Sequence, residues 1–212
     1  MRSTRSVTRA ETSASKNTGT SARARWDSRW AAAQGPLGEP HPLVKRLADQ
    51  LSPASRVLDI AAGRGRQSLC LLRSGHQVTA TDVSEVGLQR LAEMAAHEKL
   101  SVDTVVADLG DGLPESLVGP WDAVVCVDYF QPDLWPVLHQ RLAPHGAWVL
   151  SLATTDNLNR HARPSRRFLA DPQAGRAAVG PLTSVEAGSA WRQSGRHELW
   201  VWATRPVVSL RP

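Results

Sequence analysis

The stretch Val57 to Ser68, VLDIAAGRGRQS, constrains this chain more than any other. A short apolar run interrupted by Asp59 gives way to small residues and then to a helical pattern, QSLCLLRSG, that stops at Gly75. A strand that turns through Ala61, Gly63 and Gly65 into a helix lets a ligand approach the backbone, because those positions carry little or no side chain. A strand followed by a helix packed back on it is also half of a right-handed crossover, which points to an α/β fold.

The rest of the chain continues that rhythm. Leu43, Val44, Leu47 and Leu51 recur at helical spacing after His41-Pro42 and predict an entry helix of about three turns. Strands are predicted at residues 56–61, 76–81, 102–107, 121–127 and 147–153. Between them lie a helix N-capped by Ser84 and bearing Val86, Leu88, Leu91, Met94 and Ala95, and a second helix carrying Leu134, Val137, Leu138, Arg141 and Leu142. Such alternation predicts a mostly parallel sheet with helices on both faces. The last third departs from it. Residues 154–182 hold one weak helix signal near 172–179, and residues 183–192 and 198–204 read as two strands joined around Gln193-Ser194-Gly195. That hairpin stands where a plain dinucleotide fold would place a sixth parallel strand.

A chain of 212 residues, 42% hydrophobic and 21% charged, suits one soluble domain. No apolar run approaches the roughly 20 residues of a membrane span, and no apolar segment follows Met1, so neither a membrane nor secretion is expected. Cys70 and Cys126 cannot form a disulfide framework, and a reducing cytoplasm is the expected compartment. The formal charge of +5 is located rather than spread: residues 1–25 hold six cations against Glu11, while the remaining residues carry 19 cations and 19 anions. We expect a disordered basic tail over residues 1–25, one domain over 26–206 and a short tail over 207–212. The tail composition fits a floppy extension or a transit peptide, and the neutral body argues against a nucleic-acid-tracking surface.

Two cofactors compete for the glycine turn, because Gly63 to Ser68 lies within one residue of a dinucleotide fingerprint. Asp59 tilts the choice: a carboxylate at that strand end repels a pyrophosphate and attracts an ammonium. Asp82, closing the second strand, can accept from ribose hydroxyls in either case, or it can cap the following helix. No His or Cys grouping has zinc spacing, and no metal is expected. Trp200 and Trp202 alternate on one strand and share a face, so they read as packing rather than as base-stacking residues.

Asp59-Ile60-Ala61-Ala62-Gly63-Arg64-Gly65, with Asp82 and the final hairpin, resembles the first motif and ending of class I S-adenosylmethionine-dependent methyltransferases. Ala61 replaces the first glycine of that motif, a change the turn tolerates where its φ is negative. The resemblance implies a seven-stranded Rossmann-like sheet in the order 3-2-1-4-5-7-6, with strand 7 antiparallel. It implies S-adenosylmethionine as cofactor, S-adenosylhomocysteine as product, and a small-molecule acceptor methylated by in-line displacement. Asp82 takes the ribose role, Val83 lies under the adenine, Asp108 with Leu109 beside it meets the adenine edge, and Asp128 follows the fourth strand. Trp26 and Trp30 form a lid, and Tyr129 and Arg163 face the transferred methyl. No catalytic base is assigned. A narrower likeness, to small bacterial tellurite-resistance and thiopurine-type methyltransferases, rests on Trp26-Asp27-Ser28-Arg29-Trp30, Gly38-Glu39-Pro40-His41-Pro42, Arg163-Pro164-Ser165 and Arg196-His197-Glu198. It suggests a thiol or a chalcogen-derived acceptor. The competing readings are an NAD(P)-dependent oxidoreductase, which lacks a Tyr-xxx-Lys pair after Tyr129, and a nucleic-acid methyltransferase using the basic tail.

Overall fold

The computed structural model describes residues 14–207. Helices α1 (Ala14–Ala32) and α2 (Pro42–Gln50) precede strand β1 (Arg56–Ile60); α3 (Arg66–Arg73), β2 (Gln77–Asp82), α4 (Glu85–His97) and β3 (Asp103–Val106) follow. The second half runs through β4 (Trp121–Val127), α5 (Trp135–Gln140), β5 (Leu142–Ala153), α6 (Gly175–Val179), β6 (Thr183–Trp191) and β7 (His197–Thr204). All seven strands lie in one sheet ordered β3-β2-β1-β4-β5-β7-β6, as expected. Strands β1 to β5 pair in parallel, and β7 runs antiparallel to both β5 and β6.

The apolar central strands follow from burial on both faces. Alternate residues of β1 and β4 feed separate cores: Leu58, Ile60, Val124 and Cys126 pack with Trp135, Leu138, Trp148 and Ala178, whereas Val57, Ala123 and Val125 pack with Leu43, Leu47, Leu69, Leu88 and Leu91. Helices α2, α3 and α4 therefore cover one face, and α5 and α6 the other. Their starts obey local rules. Pro42 opens α2 with the His41 ring accepting from the Leu43 N–H at 3.2 Å, and the Ser84 hydroxyl caps α4 by accepting from Gly87 N–H at 3.1 Å.

The structure differs from the sequence expectation at the start of the chain and at the junction of α5 and β5. Residues 14–25, assigned above to a disordered tail, form the first part of α1; residues 1–13 and 208–212 lie outside the described residues. The stretch is rich in Ala, Ser, Arg and Thr and has no proline, and once Trp26, Asp27 and Trp30 are anchored, helix propagates backward at little cost. Strand β5 begins at Leu142 rather than at 147, because Leu142 pairs with Trp121 across an irregularity in the ladder. Arg141 and Leu142 accordingly leave the helix predicted for them.

Candidate functional site

The order of the sheet reverses between β1 and β4, the place where ligands of such sheets bind beyond the carboxyl ends of the strands. The chain there turns on three left-handed residues, Ala61 (φ +55°), Gly63 (φ +57°) and Gly65 (φ +83°). A β-carbon on Gly65 would lie 2.2 Å from Leu91 Cδ1 on α4, and one on Gly63 would lie 2.9 Å from the Trp30 ring on α1. The groups that approach these glycines most closely are thus the chain's own helices. Ala61 corrects an expectation: its φ is positive, and a β-carbon in that conformation stores about 1–2 kcal/mol.

Three carboxylates surround the turn. Asp59 on β1 is 1% exposed and accepts from the Ser68 hydroxyl at 2.5 Å. Burial pushes its carboxyl up from the usual carboxylate range to about 7, Ser68 pulling against the rise and Asp82 adding to it. Asp82, at the end of β2, is 7% exposed and accepts the Gly63 N–H and the Ser84 N–H, each at 2.8 Å. Burial raises it as well, against those two bonds. Asp27 of α1 accepts from the Ser84 hydroxyl at 2.5 Å and the Val86 N–H at 3.3 Å, which ties α1 to the start of α4. Among the described residues, none of these three carboxylates has a lysine, arginine or histidine ion-pair partner.

The other residues named from sequence are placed unequally. Val83 follows Asp82 half-buried. Asp108 caps a short turn by accepting from the Gly110 N–H at 3.0 Å, and the Leu109 side chain is buried in the core beneath it. Asp128 adopts φ +65°, and its carboxylate is held by Arg66 and Arg196. Tyr129 is half-buried beside it, and burial drives its phenol well above the usual range. Trp26 and Trp30 stack with centroids 5.6 Å apart, Trp30 lying over Gly63. Arg163 is exposed in the segment after β5 and is not gathered with the others.

The segments Gly38 to Pro42 and Arg196 to Glu198, named above only as marks of the narrower likeness, meet in one network on the β5 and β7 side. His41 donates its backbone N–H to Gln67 Oε1 at 2.9 Å, and its Nε2 meets Glu198 Oε1 at 2.7 Å. Ser151 donates to the same oxygen at 2.9 Å. Because His41 Nδ1 accepts from Leu43, Nε2 is the nitrogen that donates to Glu198. Burial pushes Glu198 up, but His41, Ser151 and Arg192 outweigh it and bring the carboxyl down to about 2. His197 is likewise engaged, with Nδ1 2.7 Å from Thr154 Oγ1 and Nε2 3.4 Å from Asp156. The available signal was a glutamate opening an otherwise apolar, aromatic strand.

Residues 57–146 match the family described as "Methyltransferase domain". The ubiquinone biosynthesis O-methyltransferase of Xanthomonas axonopodis pv. citri (strain 306) is 33% identical over 135 residues, covering 58% of this chain and 56% of that protein. The chain thus spans just over half the length of the curated relatives of that kind it matches. TehB from Haemophilus influenzae shares the fold at a TM-score of 0.65 and 21% identity, over 78% of this chain and 62% of that one. The N-methyltransferase NodS from Bradyrhizobium japonicum WM9, in complex with S-adenosylhomocysteine, shares it at 0.66 and 18% identity, over 87% and 98%. The fold is that of the class I S-adenosylmethionine-dependent methyltransferases, and the chain resembles that family in its glycine turn, its matched segment and its sheet order. No helix among the described residues is long and apolar enough to cross a membrane.

Proposed function

We propose that the chain is an enzyme that transfers the methyl group of S-adenosylmethionine to a small-molecule acceptor by in-line displacement. The observation that carries this reading is the pair Asp59 and Asp82, buried at the ends of adjacent strands without a cationic partner among the described residues. Such a pair suits a ligand bearing an ammonium and a sulfonium. It disfavours the pyrophosphate of a nicotinamide nucleotide, the competing reading.

In this reading Asp59 faces the aminoacyl end of the cofactor, and Asp82 keeps lone pairs for the ribose hydroxyls beyond the two it spends on Gly63 and Ser84. Val83 and Asp108 flank the adenine, Leu109 contributes only through its backbone, and Ala61, Gly63 and Gly65 shape the turn. Trp26 and Trp30 cover it, while Asp128, fixed by Arg66 and Arg196, stands at the methyl end with Tyr129. When bound, S-adenosylmethionine supplies the methyl group and the positive sulfur that makes it a target for displacement. The protein's share is to orient the acceptor at about 3 Å and to exclude water.

Among the described residues, the histidines and the tyrosine discussed above are not free to act as a base, and the Asp128 carboxylate is held by two arginines. Both ring nitrogens of His41 and of His197 are engaged, and the phenol of Tyr129 is held protonated. An acceptor that is already ionised, such as a thiolate or a reduced chalcogen, needs no such base. Calorimetric titration with S-adenosylhomocysteine and NADH tests the reading: micromolar binding of the first and weak binding of the second is expected, and the opposite order overturns it.

A further inference from the structure

The two ends of the sheet are unlike. Strand β3 closes one end with four residues that begin at Asp103, a short edge opened by a charge. Strand β6 closes the other with nine, Thr183–Trp191, and among the described residues no strand pairs with its outer side. An outer strand presents a row of backbone N–H and C=O groups without partners, and chains guard such rows with lysine, proline, brevity or a bulge. β6 is long and has neither lysine nor proline. Its bulge, a register shift between Ser184 and Glu186, lies near the start and leaves Glu186 to Trp191 in regular ladder with β7.

The side chains of that regular stretch also leave the edge open. Ala187, Gly188, Ser189 and Ala190 are small and uncharged, with Ala187 and Ser189 exposed and Glu186, Gly188 and Ala190 half-buried on the opposite face. On the half-buried face Trp200 of β7 lies against Gly188, where a β-carbon would come within 2.5 Å of its ring, and donates Nε1 to Glu186 Oε1 at 3.0 Å. The Arg192 guanidinium, one residue past the end of β6, lies 3.7 Å from the centroid of the same ring. Glu186 and Arg192 are therefore opposite charges on one face, at the two ends of the regular stretch.

That placement is self-complementary. Directly opposite residues of an antiparallel pair share a face, so a strand that pairs with its own copy about a two-fold axis must be centred on a residue. A two-fold at Ser189 sets Glu186 of one copy against Arg192 of the other, Ala187 against Trp191 and Gly188 against Ala190. It uses the whole regular stretch and ends on an opposite-charge pair at both sides. A two-fold at Glu186 would set that carboxylate against itself, and one at Ala187 or Gly188 would set it against an uncharged residue.

We propose that the outer side of β6 is a docking surface for a second copy of this chain: β6 pairs antiparallel with β6 of the partner about a two-fold axis at Ser189, joining two seven-stranded sheets into one. The occupant is a second copy because Glu186 and Arg192 are matched by the same sequence run in reverse, and the small residues between them let the two backbones meet.

Sedimentation of the full chain at micromolar concentrations tests the association, and oxidative cross-linking tests its register. The natural protein is expected to sediment with twice the 23.0 kDa of one chain. Ala187→Lys/Ser189→Lys, which adds charge only at exposed positions of the edge, should give the mass of one chain with an unchanged far-ultraviolet circular dichroism spectrum. Ser189→Cys faces its own counterpart across the axis and should form a disulfide-linked dimer on oxidation. In Ala187→Cys the counterpart lies four positions along the partner strand, about 13 Å away and outside disulfide reach, so that variant should remain uncross-linked. Cys70 is present in both variants and cancels in the comparison. A natural protein with the mass of one chain, a dimer that the two lysines leave intact, or Ala187→Cys cross-linking as readily as Ser189→Cys overturns the proposal. So does a dimer that forms only once residues 208–212 are removed, which would make that tail the occupant of the edge.

Discussion

The carboxylate of Asp82 accepts the backbone N–H of Gly63 at 2.8 Å, tying the end of β2 to the turn that follows β1. Its second oxygen accepts from Ser84 at the same distance, so one side chain holds both the glycine turn and the start of α4. Asp82→Ala should therefore lose stability and ligand affinity together. Two buried backbone donors lose their acceptor, at about 1–3 kcal/mol each, and the dissociation constant for S-adenosylhomocysteine should rise at least about tenfold. Ser84→Ala is the contrast: it removes the α4 cap at about 1 kcal/mol and the bond to Asp27, and should lower the melting temperature while weakening affinity much less than Asp82→Ala does. Parallel thermal melts and calorimetry on both variants check this. Unchanged affinity in a folded Asp82→Ala protein would confine Asp82 to a structural role.

Gly65 is a packing requirement that can be tested apart from any ligand. In Gly65→Ala the new β-carbon meets Leu91 in a backbone conformation that already disfavours side chains. Overpacking and the left-handed φ together predict a loss of about 2–5 kcal/mol in chemical denaturation. Leu91→Ala in the same chain should recover part of it, so the double variant is more stable than the sum of its single changes. Strict additivity would show that the two residues do not meet.

His139 makes the fold sensitive to acid. It is 3% exposed, and burial lowers its ring to about 4, with the Ala178 carbonyl pulling back weakly. The unfolded chain takes up a proton near 6.5, whereas the folded ring resists it, so stability is full above about pH 6.5 and falls as the pH drops toward 4. The loss at the acid end is on the order of 3 kcal/mol. His139→Phe should flatten this part of the stability profile measured by denaturant titration between pH 4 and 7, and an unchanged slope would remove His139 as its source.

The parts of the fold that were legible in the sequence are those decided locally. Val57, Leu58, Ile60 and Val124 to Val127 form runs that only strands covered on both faces produce, and Ser84 lies where a cap must. The antiparallel ending followed from two alternating segments joined by a short Gly-containing turn. What was not legible depends on partners distant in sequence. His41 and Glu198 are 157 residues apart, and although both segments stood out in the sequence, nothing in either told that the two side chains meet. Trp30 over Gly63, and Leu91 against Gly65, likewise come from helix packing, so glycines read as clearance for a ligand prove also to be clearance for the chain. The positive φ of Ala61, beside backbone donors held by Thr81 and Asp82 of β2, and the extension of α1 back to Ala14 were equally out of reach of local pattern.

Asp59 is the residue on which the proposed cofactor site depends most directly. Its pKa in the folded state, raised to about 7 by burial, lies above the unfolded value near 3.9, so the folded state holds a proton that the unfolded state has lost between those limits. Apo stability attributable to this residue consequently falls as the pH rises from about 4 through 7. A ligand with an ammonium reverses that preference by favouring the carboxylate. The deciding measurement is the dissociation constant of S-adenosylhomocysteine by calorimetry from pH 6 to pH 8, for the natural protein and for Asp59→Asn. Affinity should strengthen by up to about tenfold per pH unit below 7 and level off above it, and the Asp59→Asn protein should bind weakly with no such dependence. A dissociation constant independent of pH, or an Asp59→Asn protein that binds as tightly as the natural one, would contradict the assignment of the buried carboxylate to a cationic ligand.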